Sequence, residues 1–187
     1  MKKFKLLLLD ANVVIELFRL GIWDEVVERC DVHLARTVAG DEAHFFEDDD
    51  GQRHDFDLQP YIKVNKITVF DVTVGEAAAF RNRFGPGYFE KLDPGETESL
   101  VHFFGLAGEC WICSADKIVY RIIGGLDRSE QGVSLEEVLQ KTGLGRGLPV
   151  QFTKEYRVKW TRKGFEEHLR GLGLKPRGTL DNHEAPP

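Results

Sequence analysis

The hydrophobic positions of the chain form short apolar runs that alternate with helical patterns. Residues 6–9 are four leucines, which fit a buried parallel strand that is covered on both faces. Val13 and Leu17 follow at helical spacing, so a helix is expected directly after this strand. The same succession returns at residues 31–36 and at residues 110–113, which predicts a parallel sheet with helices packed against it.

Capping residues mark where several of the predicted helices begin. Asn12 is expected to cap the first helix, because an Asn side chain can accept a hydrogen bond from a free backbone amide. Thr73 and Ser134 each have a Glu three residues later, which is the pattern of a capping box. Val133 is predicted to close the sheet. Helices are predicted over residues 23–29, 37–46, 74–83, 93–107, 118–123 and 135–141.

The stretch from residue 53 to residue 69 is rich in β-favouring side chains and interrupts the succession of strands and helices. We predict an inserted hairpin or extended β-arm within about residues 47–66. Its polar turns are expected at residues 48–51 and 65–66.

The C-terminal part of the chain differs in composition from the rest. Residues 143–149 are predicted to form a linker, and the segment at residues 152–172 is strongly basic. The last residues, 176–187, are expected to be disordered. The chain is therefore predicted to consist of a sheet domain, residues 1–142, and a C-terminal extension, residues 143–187.

The formal net charge of −6 conceals two segments of opposite charge. Residues 1–140 carry 15 Lys and Arg against 26 Asp and Glu, whereas residues 141–187 carry 10 against 5. An acidic body with a basic tail suggests a metal-binding part and a segment that faces a polyanion. A solvated helix with excess Lys would give the same balance, so the charge alone does not decide between the two.

Location in the cell is predicted from what the composition lacks. No stretch approaches the roughly 20 apolar residues of a membrane span, and the run at residues 6–9 is too short for a signal peptide. Three cysteines do not make a disulfide framework. We therefore expect a cytoplasmic protein without membrane association.

Carboxylates are predicted to meet at one edge of the sheet. Asp10 and Asp116 each follow a predicted strand, and the carboxyl ends of parallel strands share one edge. Glu98 lies in the first turn of its helix near this edge, and Asp41 and Glu42 follow the second strand. Carboxylates that lie close together raise each other's pKa, and a divalent cation removes this cost. Hard oxygen ligands favour Mg²⁺ or Mn²⁺.

Four stretches of the chain resemble the motifs of the PIN-domain nucleases, a family that includes many bacterial toxin ribonucleases. They are LLDANVVI, VAGDEA, GETESL and ICSADK, which occur in the family's order within residues 4–140. The resemblance implies a three-layer α/β/α sandwich around a mostly parallel central sheet, here with an inserted β-arm and a basic C-terminal extension. It also implies a metal-dependent endoribonuclease with four acidic ligands.

The resemblance also implies roles for individual residues. The implied ligands of Mg²⁺ or Mn²⁺ are Asp10, Glu42, Glu98 and Asp116. Asp41 and Glu96 stay open as alternatives, because each lies close in sequence to an implied ligand. Ser114 matches the hydroxyl residue two positions before the last acid, and it would orient a ligand or the scissile phosphate. Asn12 would support Asp10 or a bound water.

The expected function is hydrolysis of RNA phosphodiester bonds by a water that the metal activates. Basic side chains are expected to bind the RNA backbone, namely Lys117, Arg121, Lys159, Arg162 and Lys163. An antitoxin protein and a second copy of the chain are further partners that the resemblance leaves open. Two alternatives remain: a non-catalytic PIN-like module that binds RNA or protein, and a DNA structure-specific nuclease.

Overall fold

A computed structural model describes residues 3–8, 10–85, 88, 90–106 and 110–173 of the chain, and for residues 4–8 it describes the backbone. Strands and helices alternate along these residues. The strands are β1 (Phe4–Leu8), β2 (Cys30–Ala35), β3 (Phe45–Glu47), β4 (Arg53–Asp55), β5 (Ile67–Phe70), β6 (Trp111–Cys113) and β7 (Gly132–Val133).

Five of these strands form one parallel sheet in the order β5-β2-β1-β6-β7. β1 is central, and Leu8 lies beside Leu34 of β2 on one side and Cys113 of β6 on the other. The chain builds the sheet on one side of β1 first and then on the other, so the strand order reverses between β1 and β6. The chain is a mixed α/β protein with a parallel sheet, as predicted, and Val133 lies in the strand that closes it.

Most helices begin close to the positions that the capping pattern predicts. Thr73 and Ser134 each form the predicted capping box, with Glu76 and Glu137 respectively. A π-helical turn spans Val38–Glu42, and 3₁₀ turns span Ser129–Gln131 and Val150–Phe152. The α-helices are α1 (Ala11–Arg19), α2 (Trp23–Arg29), α3 (Gln59–Lys63), α4 (Val74–Arg81), α5 (Pro94–Gly105), α6 (Lys117–Gly125), α7 (Leu135–Lys141) and α8 (Lys154–Leu169).

The cap of α1 is Asp10, so the prediction that Asn12 caps this helix was wrong. Asp10 Oδ1 accepts a hydrogen bond from the amide of Val13 at 3.0 Å, while Asn12 lies inside the helix and is exposed. The helix begins at Ala11, two residues earlier than a cap at Asn12 implies, and the cap lies two residues earlier as well. Leu9 and the side chains of residues 4–8 lie outside the described part of the chain. The burial of residues 6–9 therefore stays a prediction.

The core lies where the apolar helix faces meet the sheet. Val13 and Leu17 of α1 are fully buried, as their spacing predicts, and they lie in one cluster with Trp23 of α2. From the other half of the sheet, Ile112 of β6 and Ile123 of α6 join the same cluster. The apolar pattern therefore predicted which helix faces are buried.

The segment between β2 and α4 differs from its prediction in two ways. The predicted helix over residues 37–46 ends at Glu42, and Phe45 opens an antiparallel hairpin of β3 and β4. The hairpin turn is stabilised by the Asp48 carboxylate, which accepts hydrogen bonds from the amides of Asp50 and Gln52. The predicted insertion, about residues 47–66, therefore contains β4 and the short helix α3, whereas β3 begins before it. The second part of the β-rich stretch is β5, an edge strand of the main sheet.

The basic C-terminal segment contributes α8, which packs closely along α6. A Cβ added at Gly164 would lie 1.9 Å from the carbonyl oxygen of Arg121, and one added at Gly124 would lie 2.1 Å from that of Thr161. These two glycines let the two helix backbones approach each other. The division of the chain at residues 142 and 143 stays a prediction, and the tail predicted to be disordered, residues 176–187, lies outside the described residues. Within the described ranges, no helix is long and apolar enough to span a membrane.

Candidate active site

Two aspartates lie at the carboxyl ends of the strands that flank the point where the strand order reverses. Asp10 follows β1 and caps α1, and Asp116 follows β6 and caps α6. Asp116 Oδ1 accepts a hydrogen bond from the amide of Ile118 at 2.7 Å. Open parallel sheets bind ligands at this position, outside the strand ends. The structure thus brings both predicted acids to one edge of the sheet.

Asp10 is a buried carboxylate that the surrounding backbone holds in place. Its exposed fraction is 6%, and its Oδ2 accepts hydrogen bonds from the Ser114 hydroxyl at 2.8 Å and the Ala115 amide at 2.9 Å. Burial outweighs these bonds and raises the pKa of Asp10, and the charge of Asp116 raises it further. The position of Asp10 is fixed, and its negative charge is costly.

Ser114 connects the two aspartates. Its hydroxyl donates to Asp10 and accepts from the amide of Asp116 at 2.8 Å, and the residue is fully buried. The Tyr120 hydroxyl hydrogen-bonds with the Ser114 carbonyl at 2.7 Å and lies 3.0 Å from the carbonyl of Val133. Ser114 can therefore orient Asp10, and its expected contact with a scissile phosphate stays a prediction.

Glu96 is a buried carboxylate on which the charges of both aspartates act. Its Oε2 accepts the amide hydrogen of Asp93 at 3.1 Å, and 3% of the residue is exposed. Burial raises its pKa to about 8, and the charges of Asp116, Asp10 and Asp93 add to the rise. Glu96 therefore keeps its proton at neutral pH when no cation is bound.

Glu42 approaches the same edge from the π-helical turn after β2. Its carboxylate accepts a hydrogen bond from the amide of Gly95 at the start of α5. Burial raises the pKa of Glu42, and the charges of Asp93, Asp10 and Glu98 contribute. A Cβ at Gly95 would lie 2.7 Å from Glu42 Oε2, so the absence of a side chain there makes room for this carboxylate.

The structure separates the residues of the two pairs that the sequence left open. Asp41 is exposed, whereas Glu42 faces the other acids. Glu98, which the resemblance preferred to Glu96, is held instead at the end of β2. Its Oε1 accepts a hydrogen bond from the Thr37 hydroxyl at 2.7 Å, and its charge contributes to the raised pKa of Glu42.

Opposite charges do not compensate this group of acids, which we call the carboxylate site: Asp10, Glu42, Glu96 and Asp116. In the described part of the chain, none of the ion pairs of Lys, Arg or His involves any of these four residues. No cation is among the causes that shift the pKa values of Asp10, Glu42 and Glu96. The site thus concentrates negative charge in a position that water solvates poorly.

The five basic residues expected to bind RNA differ in their surroundings. Arg121 is bound at both nitrogens by Glu167, at 2.9 Å each, and its side chain is 13% exposed, so it is not available to a phosphate. Arg162 and Lys163 are exposed and pair with Glu166 and Glu167 on their own helix. Lys117 and Lys159 are exposed and approach the ring of Trp160, at 5.9 Å and 5.3 Å from its centroid.

Sequence reasoning missed three residues around the site. The charge of Asp93 raises the pKa values of both Glu42 and Glu96. Asp93 precedes Glu96 by three residues, which is the spacing of a capping box, and this signal could have revealed it. The Tyr120 hydroxyl holds Ser114 by a hydrogen bond to its carbonyl. Burial raises the pKa of Tyr156 in α8, and the charges of Asp116 and Asp10 raise it further. Nothing in the sequence pattern distinguishes these two tyrosines from ordinary core residues.

The donor chemistry of the carboxylate site suits Mg²⁺ or Mn²⁺, which prefer carboxylate oxygens. Within the ranges that the structure describes, no group of three or more His, Cys, Asp and Glu side chains is arranged to hold a metal ion directly. Mg²⁺ commonly keeps several waters and binds one or two carboxylates. An ion that is held by one or two of these carboxylates and by waters stays a prediction from the donor chemistry.

Comparison with known proteins adds no relative to this picture. No protein-family model, no curated protein and no solved structure matches the chain. The function must therefore be argued from the site itself.

Proposed function

We propose that this protein is a Mg²⁺- or Mn²⁺-dependent ribonuclease that hydrolyses RNA phosphodiester bonds at the carboxylate site. The observation that carries the proposal is the convergence of two buried acids, Asp10 and Glu96, and two half-buried acids, Glu42 and Asp116, at the point where the strand order reverses. Among the described residues, no Lys, Arg or His forms an ion pair with them. Burying like charges is costly, and groups with strongly shifted pKa values are frequent at functional sites. A ligand that brings positive charge would remove this cost.

Asp116 and Asp10 are the residues that we expect to hold the cation, directly or through water. Asp116 uses Oδ1 to cap α6, which leaves Oδ2 for a ligand, and Glu96 uses Oε2 in the same way. Glu42 would bind on the side of α5. When bound, such an ion lowers the pKa of a water and stabilises the charge that develops on a phosphate.

The remaining chemistry belongs to the residues of the chain. Ser114 and the Ala115 amide keep Asp10 oriented, so the site needs little reorganisation when a substrate binds. Glu96 carries a proton at neutral pH in the cation-free site, because its pKa is about 8. It is thus suited to release that proton when positive charge enters and to accept one during the reaction.

The proposal includes the finer fold, a PIN-like three-layer α/β/α sandwich. The parallel sheet with β1 at its centre supports it, as do the aspartates after β1 and β6. In this view the β3–β4 hairpin and α3 are additions to the nuclease core, and α8 is a C-terminal addition that packs on α6.

The test is cleavage of a mixed RNA pool by the full chain with Mn²⁺, with EDTA, and by two matched variants. Asp116→Asn removes the charge but keeps a residue that caps helices well, so the variant should fold. We expect it to lose activity by about two orders of magnitude, the scale of removing one electrostatic group from an active site. Asp41→Asn makes the same charge change at an exposed neighbouring position and should cleave normally.

Cleavage that survives in EDTA or in Asp116→Asn would contradict the proposal. A DNA pool run in parallel separates a ribonuclease from a DNA structure-specific nuclease. The second candidate function, a non-catalytic module that binds RNA or protein, is favoured by the lack of a closed metal-ligand group in the described residues. That candidate predicts no cleavage in any lane and no heat of Mn²⁺ binding.

A further inference from the structure

An aromatic and cationic cluster lies where α8 crosses the start of α6. We call it the Trp160 cluster: Lys117, Tyr156, Lys159 and Trp160. The rings of Tyr156 and Trp160 meet edge to face, with centroids 6.0 Å apart and planes at 63°. The ammonium groups of Lys117 and Lys159 lie 5.9 Å and 5.3 Å from the centroid of the indole. Two cations therefore share one half-buried ring.

The cluster adjoins the carboxylate site. Lys117 follows Asp116 directly, and the Lys117 amide donates a hydrogen bond to the Tyr156 hydroxyl. The Tyr156 hydroxyl therefore lies beside the start of α6, the helix that Asp116 caps. Trp160 lies one helical turn further along α8, so the cluster leads from the carboxylates outward along the helix.

The two lysines of the cluster differ from the other cations on this face. Arg121 is paired with Glu167, and Arg162 is paired with Glu166. In the described residues, none of the ion pairs involves Lys117 or Lys159. Their charges are thus uncompensated by carboxylates and are available to an anionic ligand that reaches the indole.

We propose that the Trp160 cluster is a subsite that binds one nucleotide of a single-stranded RNA beside the bond to be cleaved. An aromatic ring flanked by ammonium groups can stack a base and contact the adjoining phosphate. Bases in a duplex are already stacked, so the subsite selects unpaired RNA. This inference rests on the proposed function, because that function supplies both the substrate class and the scissile bond next to the cluster.

The test measures binding of a short single-stranded RNA to the full chain in EDTA, where cleavage is not expected. Lys159→Gln should weaken binding several-fold and lower the slope of log affinity against log salt by about 1, the loss of one phosphate contact. Lys63→Gln is the matched control. It makes the same substitution at an exposed residue of α3, which belongs to neither the Trp160 cluster nor the carboxylate site, and it should leave affinity and slope nearly unchanged.

The stacking part of the proposal is tested at Trp160. The indole nitrogen has no hydrogen-bond partner among the described residues, so Trp160→Phe loses no hydrogen bond and should fold. Trp160→Phe should bind RNA nearly as the natural chain does, whereas Trp160→Leu should bind about 10-fold more weakly, the typical effect of removing one stacking ring. A duplex RNA of the same sequence should be insensitive to both changes.

Each outcome either supports or overturns the subsite. Equal effects of Lys159→Gln and Lys63→Gln, or equal binding by Trp160→Phe and Trp160→Leu, would overturn it. The two proposals fail separately. Binding that depends on the cluster without any cleavage in Mn²⁺ would overturn the ribonuclease and keep the subsite, and cleavage with an unchanged KM in Trp160→Leu would do the reverse.

Discussion

Two regions of the molecule bury carboxylates, and they differ in whether basic side chains compensate the negative charge. In the carboxylate site, the acids face one another, and burial raises the pKa values of Asp10, Glu42 and Glu96. In the second region, where α8 packs on α6 and α7 and which we call the α8 seam, each half-buried Glu is bound by an Arg. Burial raises the pKa values here as well. Hydrogen bonds from Arg157 to Glu137, and from Tyr88 and Arg121 to Glu167, nevertheless keep the pKa values of both carboxyls below the usual value.

The seam shows that this chain can compensate a buried charge fully. Glu137 binds Arg157 with both oxygens, at 2.8 Å and 3.0 Å, and also accepts hydrogen bonds from Ser134. Glu167 binds Arg121 in the same bidentate manner and accepts a hydrogen bond from Tyr88 at 2.6 Å. Against this background, the uncompensated acids at the sheet edge are not a general property of the fold. They mark a place where we expect a bound ligand to supply the positive charge.

The largest effect on stability should come from breaking an ion pair of the seam. Arg157→Met leaves Glu137 half-buried without its partner and should lower the free energy of unfolding by about 3 kcal/mol. Arg162→Met is the control, because the Arg162–Glu166 pair is exposed to solvent and should contribute little. Urea unfolding followed by circular dichroism measures both. Equal stabilities of the two variants would show that the seam does not depend on its buried pairs.

The close approach of the two helices should be the next most sensitive feature. Gly164→Ala places a methyl group against the Arg121 carbonyl, forces α8 away from α6, and should cost about 2 kcal/mol of unfolding free energy. Gly75→Ala provides the comparison, since a Cβ at this position in α4 meets its nearest atom at 4.0 Å. That variant should be slightly more stable, because Ala favours helices over Gly. A neutral Gly164→Ala would contradict the packing described here.

Per pH unit, the change of stability with pH should be smaller than these effects, and it should have opposite signs in the two regions. Folded Glu96 keeps its proton up to about pH 8, whereas unfolded Glu96 loses it near pH 4.5. Its stabilising contribution is therefore complete below pH 4.5 and is lost as the pH rises through this window, by about 1 kcal/mol per pH unit. Glu137 and Glu167, with lowered pKa values, contribute above the usual Glu pKa and lose this contribution as the pH falls.

Glu96→Gln separates the two contributions, because Gln cannot titrate. Unfolding curves at pH 5, 6.5 and 8 should show that the variant loses less stability than the natural chain as the pH rises. The loss of stability at acid pH, which comes from Glu137 and Glu167, should be the same in both proteins. Parallel curves for the two proteins above pH 5 would mean that Glu96 titrates normally and would remove one argument for the carboxylate site.

The sequence predicted the acids that follow strands better than those on helices. Asp10 and Asp116 were predicted because a strand end fixes both the position and the edge to which a residue belongs. Glu96 and Glu98 lie two residues apart in one helix, and the apolar pattern favours Glu98. The structure brings Glu96 to the aspartates instead, because its side chain turns back to the amide of Asp93.

The sequence was least informative about contacts between distant helices. The basic composition of residues 152–172 suggested a polyanion-binding extension, yet Arg157 of this segment pairs with the half-buried carboxylate of Glu137. Gly164 carries no local signal that it faces a carbonyl of α6, since a helical glycine costs stability wherever it lies. Such contacts depend on how two helices pack, which the pattern along one helix does not specify.

A calorimetric titration of Mn²⁺ at pH 7, in two buffers with different ionisation enthalpies, tests the central claim most directly. The account predicts that the natural chain and Asp41→Asn bind Mn²⁺ and release protons, because the cation displaces the proton of Glu96. Asp116→Asn should bind at least about 10-fold more weakly, the scale at which altered metal sites lose affinity. Absent binding in the natural chain, or equally tight binding by Asp116→Asn, would contradict the claim that the carboxylate site holds a metal ion.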